Sequence, residues 1–121
     1  MSNEKTIKVI EFSGKKKDWD FWEEKFIARA SRRGYKEVLT CKPTEIPKDS
    51  EVLDPTKAAD KEKIKKKKLN SLAFEELFLS IDISESAGKV AFRIVKQCKD
   101  KTDYPDGNAA PPWKRLTEKY A

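Results

Sequence analysis

The chain has 121 residues, 27 lysines and arginines against 21 acids, and a net charge of +6, so it has the length of one domain with a modest core and a weak, salt-sensitive attraction to polyanions. Histidine is absent, which removes the commonest general base, the commonest metal ligand and any side chain that changes charge near neutrality. Cys41 and Cys98 cannot by themselves make a four-ligand zinc site, and no apolar run approaches the ~20 residues that span a bilayer.

The expectation from these totals is a soluble, cytoplasmic protein with reduced thiols, the alternative being a disulfide between the two cysteines. The N-terminus shows no signal-peptide apolar region.

Residues 1–17 read as an extended arm and turn. Ile7, Val9 and Ile10 precede Phe12, and Gly14 with three lysines makes the turn. Asp18 is placed to cap a helix running from about Trp19 to Arg32, with Gly34 as its stop. Within it Trp19, Trp22, Phe26 and Ala30 share an arc of about 80°, widened by Ile27. That stripe reads as core rather than as a ligand cage. Phe21 faces the other way, either covering the arm or touching another chain, and covering the arm is the preferred reading.

Tyr35, Val38 and Leu39 suggest a short apolar turn or helix, and residues 41–54, with Pro43 and Pro47, an irregular loop. Asp54-Pro55 is a helix-start signal, and the helix it opens extends to about Leu79. Residues 55–68 carry seven lysines and two acids, so 41–68 is a charged loop and helix arm. Residues 69–81 are apolar on nearly every side, the mark of a central buried helix.

Ser84 is positioned to cap a helix over about 85–99, with Ala87, Val90, Ala91, Ile94, Val95 and Cys98 on one face. A turn-rich stretch, 100–107, follows. Asn108 is then a candidate cap for a last helix whose first turn tolerates Pro111 and Pro112 and whose inner face holds Trp113, Leu116 and Tyr120. The architecture these elements predict is all-α: a single helical domain over 1–121, a compact bundle of four to five helices with an extended N-terminal arm. Its expected core is Trp19, Trp22, Phe26, Leu72, Phe78, Ile94, Trp113, Leu116 and Tyr120.

No catalytic constellation is present. Nucleophile–histidine pairs fail for want of histidine, no glycine-rich phosphate loop occurs, and no acidic loop has calcium spacing. Neighbours in Glu23/Glu24 and Glu75/Glu76 diverge by about 100° on a helix and read as solvated charges. The sequence therefore implies no enzyme, no cofactor, no metal site and no small-molecule substrate. Lys63, Lys65, Lys66, Lys67 and Lys68 are the sharpest electrostatic signal, a candidate contact for RNA phosphates or for a neighbouring subunit's acids, although a solvated helix face is the favoured reading. No aromatic residue interleaves them, so base stacking is not expected there.

Phe12, Gly14 and Trp19 stand in the pattern F-x-G-x4-W. Gly107-Asn108-Ala109-Ala110 precede Trp113, Leu116 and Tyr120 in the pattern W-x2-L-x3-Y, and the apolar run Leu69–Ile81 lies between. In this order the motifs resemble the N-terminal, capsid-like region of the Gag polyprotein of copia-type retrotransposons, over about residues 10–120. The resemblance implies a fold like the N-terminal lobe of a retroviral capsid, with Phe12, Gly14, Trp19, Trp22, Trp113, Leu116 and Tyr120 as structural core. It further implies self-assembly into particle shells around RNA, weak for the isolated lobe. Pro111-Pro112 departs from the family pattern. The family's second helical lobe and its zinc knuckle, Cys-x2-Cys-x4-His-x4-Cys, do not occur in this sequence, so the expectation is a piece of a longer polyprotein or a stand-alone remnant. Two other readings remain: a basic nucleic-acid-binding module acting through the lysine-rich helix at 57–68, and a domesticated Gag-derived adaptor that binds a host protein.

Overall fold

The computed structural model describes residues 10–121, and the expected arm residues Ile7 and Val9 lie outside them. Helix α1 (Lys16–Arg33) starts about one turn before Trp19, and Asp18 is not its cap. Ser13 makes the turn instead. Its hydroxyl donates to Asp18 Oδ2 at 2.6 Å and accepts the Lys15 N–H at 3.1 Å, which leaves Asp18 in the first turn beside the positive end of the helix dipole. Gly34 ends the helix as expected, in the left-handed region at φ 86°. The Tyr35 N–H reaches back to the Ala30 carbonyl and the Gly34 N–H to that of Ser31, a doubly bonded stop that folds Tyr35 under the helix it has just left.

Helix α2 (Lys36–Thr40) puts Val38 and Leu39 into the core, and a short 3-10 turn (Pro43–Glu45) follows. Helix α3 (Ala58–Leu79) begins three residues later than Asp54-Pro55 suggests. Asp54 Oδ1 accepts from both the N–H and the hydroxyl of Thr56, and this local turn competes with helix. The second half of α3 is not apolar all round. Its buried face contains Asn70, Ala73, Phe74, Glu76 and Leu77, Leu69, Leu72 and Phe78 lie at the core margin, and Leu79 is 60% exposed.

Helix α4 (Ser86–Lys96) starts after a turn in which Asp82 Oδ1 accepts the Ser84 N–H, so Ser84 does not cap it. Its buried face is Gly88, Ala91 and Val95, while Val90 is 41% exposed. Helix α5 (Ala110–Tyr120) accommodates Pro111 and Pro112 in its first turn, where no intrahelical N–H bond is lost. Asn108 does not cap this helix; its Nδ2 donates to the Pro43 carbonyl. The start of α5 is tied from another helix. Asn70 of α3 accepts the Ala109 N–H at 2.9 Å on Oδ1 and donates to the Gly107 carbonyl at 3.0 Å from Nδ2.

The result is an all-α bundle of five helices among the described residues. Its centre is an aromatic cluster. Phe12 meets Trp19, Trp22 and Tyr120 at ring distances of 5.3, 5.2 and 4.9 Å, and Trp113 meets Trp19, Trp22 and Phe26 at 5.8, 5.9 and 5.4 Å. Phe12 is also held by its backbone: its N–H donates to the Ser80 carbonyl at 2.7 Å and its carbonyl accepts the Asp82 N–H at 2.9 Å. Of the expected core, Leu72, Phe78 and Ile94 are only partly buried, whereas Tyr35 and Ile46 are fully buried additions.

Replacing a buried large aromatic by alanine costs ~3–5 kcal/mol. Trp113→Ala is accordingly expected to lower the denaturation midpoint in a urea titration by an amount of that order, and an unchanged midpoint would remove Trp113 from the core.

Candidate functional site

The lysine run is divided by the helix it lies on. At about 100° per residue, Lys63, Lys66 and Lys67 share one side of α3 and Lys61, Lys65 and Lys68 the opposite side. The first set faces the loop before α3. Lys66 Nζ lies 2.8 Å from Glu45, Lys63 Nζ 3.4 Å from Glu51, and Lys67 Nζ 3.7 Å from Asp49. The hydrogen bond between Lys66 and Glu45 lowers the Glu45 carboxyl and raises the Lys66 ammonium from their ordinary pKa values. These pairs are largely exposed, so each contributes little and is screened by salt; together they fix where the loop lies. The Asp49 N–H donating to the Asp103 carbonyl and the Tyr104 hydroxyl donating to the Ile46 carbonyl fasten the loop on its other side.

An open groove of about 770 Å3 runs between α2 and α3, with Val38 and Leu69 on its floor. Lys36, Lys63, Lys65 and Lys66 line it together with Glu37, Glu45 and Glu62, so it offers no strong single-sign field. A smaller groove of about 370 Å3 lies between α2 and α5, against Leu39, Cys41, Pro43, Ala110, Pro111 and Trp113. Cys41 and Cys98 are free thiols, as the sequence suggested, and burial pushes both thiol pKa values up, away from the thiolate a nucleophile requires. Among the described residues no group of three His, Cys, Asp or Glu is placed to hold a metal ion, and no helix is long and apolar enough to cross a membrane.

The best-formed polar site is one the sequence reading missed. Glu76, read as a solvated charge, is 7% exposed and sits at the junction of α1, α2 and α3. Arg29 grips it with a two-pronged contact, Nε to Oε1 and a terminal nitrogen to Oε2, both at 2.9 Å; Arg33 reaches Oε2 at 3.2 Å, and the Tyr35 hydroxyl donates to Oε1 at 2.6 Å. Burial pushes the Glu76 carboxyl up, but the hydrogen bonds from Arg29 and Tyr35 and the two guanidinium charges outweigh it, and the group ends below its ordinary value. Burial, followed by the bond to Glu76, raises the Tyr35 phenol. One sequence signal does point there. Glu76 shares a helix face with Leu69, Leu72 and Ala73, an unusual place for an unpaired acid. All four contacting atoms on Arg29, Arg33 and Tyr35 are committed to Glu76, so the arrangement is a clamp rather than a reaction centre.

The seven motif residues, Phe12, Gly14, Trp19, Trp22, Trp113, Leu116 and Tyr120, are all buried. Gly14 has a specific reason to be glycine. Its φ is +84°, and a Cβ there would sit 2.1 Å from the Ala87 carbonyl oxygen, where the turn presses on the first turn of α4. Phe21, expected over the arm, is instead 63% exposed, with the Lys25 ammonium 5.4 Å above its ring.

Compared with known proteins, the chain matches no family model, no curated protein and no solved structure.

Because the Glu76 pKa is depressed on folding, its stabilisation is complete above the ordinary carboxylate range, near pH ~4.3, and is lost as pH falls through the lower folded value. Wild-type stability is expected to decline below pH ~5. Glu76→Gln should lose about 1–3 kcal/mol at neutral pH, since it leaves Arg29 without a charge partner, and should show a flatter acid limb. Parallel acid limbs for the two proteins would show that Glu76 is not the group responsible.

Proposed function

We propose that the chain is a structural protein, the N-terminal capsid lobe of a copia-type Gag, working by weak, repeated contacts between rigid copies. The observation that supports this reading most is that the two motif halves, separated by some ninety residues, meet in one cluster. Phe12 lies against Trp19 and Tyr120, and Trp19 against Trp113. On this reading the motifs describe a single packing unit, with Gly14 as the turn that lets Phe12 enter it. The outer surface then carries the assembly contacts. Phe21 is the most exposed aromatic side chain available for one, on the face of α1 turned away from the core.

Contacts of this kind are individually weak and gain strength through multivalency and closure. Sedimentation velocity on nuclease-treated protein, from dilute to near-millimolar concentration, should show monomer giving way to discrete oligomers. Phe21→Ser should weaken that association at least several-fold and leave the melting temperature unchanged. A wild-type chain that stays monomeric throughout, and forms no particles by electron microscopy at high concentration, would contradict the proposal.

A further inference from the structure

The division of the lysines assigns the two sides of α3 different work. Lys63, Lys66 and Lys67 are matched one to one with Glu51, Glu45 and Asp49. On the opposite side, Lys61, Lys65 and Lys68 fall within an arc of about 60°. All three are exposed, and among the described residues none takes part in an ion pair. The acids near Lys61 and Lys68 do little to neutralise them, whereas Lys65 borders the groove that Glu37, Glu45 and Glu62 also line. The Asp60 carboxylate is turned away to accept the Asp54 N–H at 2.8 Å, and Glu62, three residues before Lys65, is the one acid at a helical-neighbour spacing. Lys36 faces the stripe across the groove between α2 and α3, where Lys65 forms the opposing wall.

We propose that Lys61, Lys65 and Lys68, with Lys36 beside them, bind the phosphate backbone of single-stranded RNA, while Lys63, Lys66 and Lys67 serve only to hold the 45–51 loop. Three and four helical steps separate the stripe lysines by about 4.5 and 6 Å along the axis, a regular row of cations suited to a linear polyanion. The apolar lining of the groove beside the row is limited to Val38 and Leu69, little for the side chains of an acidic peptide to anchor on, and no aromatic residue interleaves the lysines for bases to stack on. Binding is therefore electrostatic and indifferent to sequence. This surface is independent of the assembly contacts proposed for Phe21, which lies on α1.

The test compares two triple variants that remove the same amount of charge, Lys61→Gln/Lys65→Gln/Lys68→Gln and Lys63→Gln/Lys66→Gln/Lys67→Gln. Binding of a fluorescently labelled 20-nucleotide oligouridylate is followed by anisotropy between 50 and 200 mM salt. With about three to four phosphates engaged at a slope of about −0.7 each, wild-type affinity should fall about 20- to 50-fold across that range. The first variant should lose binding at 50 mM salt with its melting temperature unchanged. The second should bind RNA within about threefold of wild type at a similar salt slope, and proteolysis should now cut it faster within residues 45–57. Equal loss in both variants would reduce the effect to net charge and overturn the assignment. Retained binding in the first variant or a salt-independent affinity would overturn it as well.

Discussion

Phe12 is the residue on which the bundle closes. It comes from the segment before α1, yet its ring lies between Trp19 and Trp22 of α1 and Tyr120 at the far end of the chain, and its backbone pairs with Ser80 and Asp82 just after α3. Four parts of the sequence thus meet at one residue. Large aromatic surfaces dominate the burial energy of a core this small, and edge-to-face ring contacts such as Phe12 on Trp19 and on Tyr120 add to area burial alone. Trp22 strengthens the same closure, because its indole N–H donates to the Ile10 carbonyl at 2.7 Å and so ties α1 to the segment that carries Phe12.

Polar groups then determine how the helices sit around that cluster. Glu76 binds two arginines of α1 and the tyrosine that follows it, and Asn70 holds the start of α5 from the middle of α3. Both side chains project from the buried face of α3, so one helix sets the positions of its neighbours through directional bonds as well as packing. A buried acid that loses its partners is costly, which makes such a site more specific about geometry than an apolar contact of the same area. The loop from 45 to 51 is anchored by buried Ile46 and by hydrogen bonds to Asp103 and Tyr104, and its exposed ion pairs to α3 add a weaker hold that salt screens.

What the sequence made legible follows from where the information resides. The aromatic stripe of α1, the Gly34 stop, the end of α3 at Leu79 and the inner face of α5 are local patterns of period 3.6 or glycine chemistry, and each appears in the structure where the pattern places it. The caps were misread at Asp18, Asp54, Ser84 and Asn108 for a shared reason. Each is a residue type that caps helices but also forms short turns or distant bonds, and here Ser13, Thr56, Asp82 and the Pro43 carbonyl are the respective partners. The partners of Glu76 and Asn70 were illegible because they lie some forty residues away; helix spacing marks Glu76 as an acid on an apolar face but does not reveal what it binds. The lysine run misled in a related way: helical spacing divides it into two sides, but only the acids brought alongside by the 45–51 loop show which side is matched.

Native-state hydrogen exchange at two protons tests most directly whether the segment carrying Phe12 is part of the core. The Phe12 amide and the Trp22 indole N–H are both expected to exchange only through global unfolding, with opening free energies equal to those of the slowest amides in α1 and α3. Exchange at either proton orders of magnitude faster than at those core amides would mean that the segment opens independently, and that the bundle closes without it.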